Sequence, residues 1–170
     1  MTQTMASPNP CPNPWKSVAE MQALEGSVVG VSPWFLMDQQ RIDAFADVTE
    51  DRQFIHVDPA AAAQSPFGGT IAHGFLTLSM LSRMAETGLP SIAGASATLN
   101  YGFDRIRFLT PVASDAWIRG SFRLDKVTLK PGGQTLFQYT VDVEIKGGSR
   151  PALSASWLIM TVFDNKESKE

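Results

Sequence analysis

Ile71-Ala72-His73-Gly74-Phe75-Leu76-Thr77-Leu78-Ser79-Met80-Leu81-Ser82-Arg83-Met84-Ala85 is the stretch whose reading decides the fold. Wound as a helix, its apolar residues Phe75, Leu76, Leu78, Met80, Leu81 and Met84 fall on all sides, and no charge stands between Gly74 and Ser82. A helix apolar all round is a buried helix, so residues 71–85 are expected inside the molecule. What encloses them follows in the chain. From Ala95 to Phe163 the apolar pattern has period two, punctuated by Pro111, Pro131-Gly132-Gly133 and Gly147-Gly148. Phe137, Tyr139, Val141, Val143 and Ile145 share one strand face, with Gln138, Thr140, Asp142 and Glu144 on the other. Ile118, Phe122 and Leu124 repeat the pattern one strand earlier, and Leu153–Phe163 is apolar on both faces, as in a strand covered on both sides.

Antiparallel strands curled around one central helix make an α+β domain with the arrangement of the hot-dog fold. Upstream of that unit, Val18, Met21 and Leu24 recur at helical spacing until Gly26, and Val28–Leu36 reads as a strand interrupted at Pro33. Asp38 is placed to cap a second helix carrying Ile42, Phe45 and Ala46 and ending near Val48. Residues 1–14 hold Pro8, Pro10, Pro12 and Pro14, a spacing that cannot nucleate a helix. They are expected to be a mobile lead, with residues 15–170 forming a single domain.

The chain has 170 residues and a formal net charge of −3. Only 18% of them are charged, against about 25% in an average soluble protein, so much surface is hidden in a core or a subunit interface. There is no excess of Lys and Arg for nucleic acid. The single Cys11 can make neither an internal disulfide nor a cysteine zinc site. No run reaches the ~20 apolar residues of a membrane helix, and no basic n-region precedes an apolar run. A cytoplasmic chain without membrane or nucleic-acid partners is the expectation.

Residues 49–70 differ in texture. Glu50, Asp51, Arg52 and Gln53 cluster, His56 and Asp58 follow, Asp58-Pro59 opens a short Ala60–Ala63 helix, and Ser65-Pro66-Phe67-Gly68-Gly69 ends it. Long polar connections inside a compact domain are where functional loops occur. The two histidines of the chain, His56 and His73, both border the central helix. Read alone, Asp51 is a loop residue capping a turn and His56 a surface histidine. Asp58 reads as a helix cap, and His56, Asp58 and His73 make only a weak metal set.

In the run Thr49-Glu50-Asp51-Arg52-Gln53-Phe54-Ile55-His56, followed by His73-Gly74, the chain resembles the MaoC-like (R)-specific enoyl-CoA hydratases, over about residues 38–163. Within them it is most similar to the branch of single-domain bacterial hydratases and nodulation protein N-like chains. The motif has a catalytic Asp five residues before a catalytic His, and a His-Gly pair at the start of the hot-dog helix. Where the family commonly has Asn-Pro, this chain has Gln53-Phe54.

The resemblance implies reversible hydration of trans-2-enoyl-CoA to (R)-3-hydroxyacyl-CoA. Asp51 and His56 would activate the water, and the Gly74 N–H at a helix N-terminus would stabilise the thioester oxygen. It implies no metal and no cofactor beyond the CoA of the substrate. His73 is either a substrate-binding ring or a plain helix start. Ser82 matches a serine that in some members lies near the catalytic water, and otherwise bonds its own helix backbone. Arg105 and Arg107 alternate along a strand and point to one face, where they meet CoA phosphates or solvent. A lone hot-dog unit leaves a sheet edge bare, so a homodimer is expected. Two rival functions remain at this stage: a hot-dog acyl-CoA thioesterase, and an acyl-CoA-binding module without catalysis.

Overall fold

The computed structural model describes residues 14–164; most of the proline-rich lead, with Cys11, lies outside them. In chain order the elements are β1 (Trp15–Lys16), α1 (Val18–Gln22), β2 (Val28–Val31), β3 (Phe35–Met37), α2 (Gln39–Thr49), α3 (Phe54–Val57), α4 (Pro59–Ala63) and α5 (Gly74–Gly88). Then come β4 (Ser91–Ile92), β5 (Ala95–Phe108), β6 (Ala116–Lys130), β7 (Gln134–Ile145) and β8 (Leu153–Phe163). The main sheet runs β2-β6-β7-β8-β5, with β3 also paired to β6. Its pairs are antiparallel.

Alternation is what makes this sheet wrap the helix. Ile118, Phe122 and Leu124 of β6, Phe137, Tyr139, Val141 and Val143 of β7, and Leu153, Ala155, Trp157 and Ile159 of β8 are buried on one face. They share a core with Leu76, Met80, Leu81 and Met84 of α5. Pro131-Gly132-Gly133 turns β6 into β7, with Gly132 and Gly133 at φ +76° and +68°, which favour residues without a Cβ. The end of α5 lies hard against β2. A Cβ on Gly30 would collide with the Gly88 carbonyl, and one on Gly88 would stand 2.8 Å from the Ser32 backbone nitrogen.

Most expected elements appear, including the break at Pro33 and the caps at Asp38 and Asp58. Three expectations need correction. The central helix starts at Gly74, because Ile71 bridges Ala113 as isolated strand and His73 takes the N-cap position. The helix is also not enclosed on every side: Phe75 is 67% exposed, and Ser79, Ser82 and Glu86 continue its open stripe. A sheet can wrap only part of a cylinder, and this stripe is the part left uncovered; Ser82 and Glu86 border a cavity that Tyr139 of β7 and Trp157 of β8 also line. Finally, β8 is covered fully on one face only, since Ser154, Ser156 and Leu158 on the other are half-buried. Among the described residues no helix is long and apolar enough to cross a membrane.

Candidate active site

The connection between α2 and α5 builds the site from backbone geometry outward. Helix α2 ends at Glu50 in the left-handed conformation, φ +61°, which swings the chain out of the helix just before Asp51. Residues 54–57 then form the single turn α3, which carries His56. Gln53 stands at its N-cap position and Phe54 at its first helical position. These are the positions where Asn would cap and Pro would be tolerated. The turn closes without them, through the His56 N–H donating to the Gln53 carbonyl at 2.9 Å. The departure from Asn-Pro is therefore a change of capping that still delivers His56 to the site.

His56 is 7% exposed, and its Nδ1 donates to the Ile71 carbonyl at 2.7 Å. A carbonyl can only accept, so Nδ1 carries the proton and Nε2 of the neutral ring keeps a lone pair. Burial pushes the His56 pKa below its ordinary value; His73 adds to this, while the Ile71 carbonyl and Asp51 work against it. His73, 2% exposed, stacks on His56 with ring centroids 3.8 Å apart and planes 26° apart. Its Nε2 donates to the backbone carbonyl of Asp51 at 2.9 Å. The Asp51 carboxylate, His56 and His73 each place one ligating atom within 4.8 Å of the others.

A cation shared by two imidazoles needs their lone pairs to converge on it. Two rings stacked face to face direct theirs along nearly parallel planes. Asp58 is not part of the cluster; its carboxylate caps α4, accepting from the Ala60 and Ala61 N–H groups at 3.1 and 3.0 Å.

His56 and Gly74 line one cavity of about 220 Å³, together with Ile71, Thr77, Phe108 and Val112. Gly74 opens α5, so its N–H lies among the first-turn donors that have no partner within the helix. The backbone runs close to Phe108 here: a Cβ on Gly74 would stand 3.1 Å from that ring, which would have to shift by a few tenths of an ångström.

The description "MaoC like domain" matches residues 20–145 of the chain. The chain belongs to the MaoC-like dehydratase family.

As a MaoC-like dehydratase it is a hydro-lyase. It is 48% identical to nodulation protein N of Rhizobium leguminosarum bv. viciae over 149 residues, 87% of this chain and 92% of that protein. It is 37% identical to 3-hydroxyacyl-thioester dehydratase Z of Mycobacterium tuberculosis over 148 residues, 87% of this chain and 97% of that protein. Among solved structures, the (R)-hydratase from A. caviae involved in PHA biosynthesis superposes with a TM-score of 0.62 at 21% identity, over 78% of this chain and 95% of its own. At that identity the likeness carries the fold, the hot-dog arrangement.

Within this MaoC-like chain the remaining expected site residues fall elsewhere. Ser82 is exposed and two turns along α5, roughly 12 Å from Gly74 by helical rise. Its Oγ accepts from the Asn100 side chain at 3.1 Å, and it lines a second, larger cavity of about 560 Å³ with Trp15, Tyr139 and Trp157. Arg105 and Arg107 do share the outer face of β5, opposite Ser156 and Ser154. Both are exposed, and Arg107 donates to the Ile106 carbonyl.

Residues that sequence reasoning missed stand behind His56. Gln39 donates to the His56 carbonyl at 2.7 Å and to Asp43 at 2.8 Å, and it accepts from the Thr70 hydroxyl at 2.5 Å. Gln39 and Thr70 are 31 positions apart, and no local pattern announces such a contact.

Proposed function

We propose that the chain is an (R)-specific enoyl-CoA hydratase, converting trans-2-enoyl-CoA reversibly to (R)-3-hydroxyacyl-CoA. The carrying observation is that the Asp51 carboxylate meets the ring of His56, which in turn borders the cavity opened by Gly74. The two groups would hold one water between them. As its oxygen bonds to C3, one proton passes to the pair, and a proton from the pair reaches C2, so the pair ends as it began. A buried, neutral His56 with Nε2 unprotonated suits the accepting role. Charge gathered on the thioester oxygen is met by the Gly74 N–H at the positive end of α5.

The reaction needs no metal or redox group; CoA enters as part of the substrate, with Arg105 and Arg107 offered to its phosphates. The names of the relatives support the thioester class, since one is a 3-hydroxyacyl-thioester dehydratase. A homodimer in the cytoplasm is the form we assign. The open α5 stripe and the edge strand β5, with Leu99, Tyr101 and Phe108 exposed, would be covered by a second copy.

The test is loss of the conjugated-thioester absorbance of trans-2-butenoyl-CoA and trans-2-octenoyl-CoA, with a thiol reagent present. Rapid loss without thiol release, abolished by Asp51→Asn and by His56→Ala, is expected. Thiol release would make the protein a thioesterase, and binding without turnover would make it a carrier module.

A further inference from the structure

We propose that His73 is a positioning residue that holds Asp51 and His56 in register, and not a group that touches substrate. The proposal rests on the reading of Asp51 and His56 as the water-activating pair. Four contacts carry it, each to a different part of the site. The His73 Nε2–H donates to the Asp51 carbonyl at 2.9 Å and so fixes the Asp51–Arg52 peptide, one residue after the left-handed Glu50. One face of the ring stacks on His56 at 3.8 Å, and Phe45 of α2 packs against the ring at 5.0 Å, tilted by 52°. The residue's own backbone is the N-cap of α5, with its carbonyl accepting from the Thr77 N–H at 3.1 Å. The acid, the base and the helix N-terminus thereby meet at one residue, the first two through its ring and the last through its backbone.

Two further observations separate positioning from substrate contact. The cavity bordered by His56 and Gly74 does not include His73 in its wall. Moreover, the His73 Nδ1 is buried with no hydrogen-bond partner in the structure. A buried acceptor without a partner lowers stability, and a phenyl ring would stack on His56 equally well without that loss. What an imidazole supplies here and a phenyl ring cannot is the Nε2–H to Asp51. Without it, Asp51 sits on an exposed turn whose carboxylate can swing, and the water loses one of its two holders.

The experiment uses two variants of the full chain and its native form. His73→Phe keeps a stacking ring and removes the donor. His73→Gln places an amide N–H the same number of bonds from Cα as Nε2. In hydration of trans-2-butenoyl-CoA, His73→Phe is expected to lower kcat by roughly 10–100-fold with KM within about twofold. His73→Gln should recover most of that loss. A rise in KM at unchanged kcat would overturn the proposal in favour of substrate binding, and so would full activity of His73→Phe.

Because the chain has only two histidines, nitrogen-15 histidine spectra of the native protein read both rings directly. His73 is expected protonated at Nε2 and His56 at Nδ1; a His73 ring protonated only at Nδ1 overturns the clamp. Those spectra need no turnover. A native protein that fails to hydrate would sink the hydratase reading and leave the clamp to be judged by the rings.

Discussion

The wall formed by β6, β7 and β8 and the connection from Thr49 to His73 are held by opposite means. In the wall, a dozen or so apolar side chains repeat one role, alternating inward against α5, and each is backed by neighbours on the next strand. In the connection, single polar contacts each do a separate job. His56 is set by the Ile71 carbonyl and by Gln39, Asp51 by His73, and α4 by Asp58. Packing is redundant and roughly proportional to the area buried. A hydrogen bond that orients a reacting group has no substitute beside it. Damage to the wall should therefore appear as lost stability, and damage to the connection as lost rate.

The sharpest break of that contrast is at the site itself. His56→Ala should cut kcat/KM by roughly 10²–10⁴-fold, while thermal unfolding moves by only a few degrees; equal losses in both would show that the connection is structural after all. In the wall the order reverses. Trp157 is 1% exposed and packs against Phe103 and Phe122, so Trp157→Ala should cost about 3–5 kcal/mol in denaturant unfolding. The fraction that stays folded should keep Asp51 and His56 in place.

Gly88→Ala probes the seam between α5 and β2. Its Cβ would press on the Ser32 backbone, which cannot yield like a flexible side chain, so about 1–3 kcal/mol of destabilisation is expected.

Titration sharpens the comparison further. The folded-state pKa of His56 lies below its ordinary 6.5, chiefly through burial. The acid limb of kcat/KM should then fall below pH 6.5, since the neutral ring persists to lower pH. The sign for stability follows from the same shift. The contribution of His56 is fully present above the unfolded value and is lost as pH falls through the folded one, because the unfolded chain takes up the proton first. An acid limb above 6.5 would contradict the burial of the ring. The smallest effect is expected at Glu50, whose left-handed backbone suits glycine better. Glu50→Gly should change stability by about 1 kcal/mol or less, read by denaturant midpoint, and leave kcat near its native value.

The legibility of the molecule follows the same division. The wall is readable because alternation is local: Phe137, Tyr139 and Val141 announce their shared face without reference to anything distant. Strand β5 was less so. Its pairing with β8 carries three register shifts, and each breaks the two-residue period that the eye follows. The open stripe of α5 is illegible for a related reason, since Phe75 is apolar whether a sheet or a second copy covers it. Asp51, His56 and Gly74 were legible only through their resemblance to a motif. The motif gave no hint that Ser82 would stand on a different cavity from them.

The sequence by itself determined the helix within a curved antiparallel sheet, the turns, and the caps at Asp38 and Asp58. All of these rest on residue type and short-range spacing. Only the tertiary structure decided what brings Asp51, His56 and His73 together. Gln39 meets Thr70, and His73 meets both Asp51 and His56, across separations of 17 to 31 residues. Contacts at that range are products of how the elements pack, and a chain read in order carries no periodic trace of them.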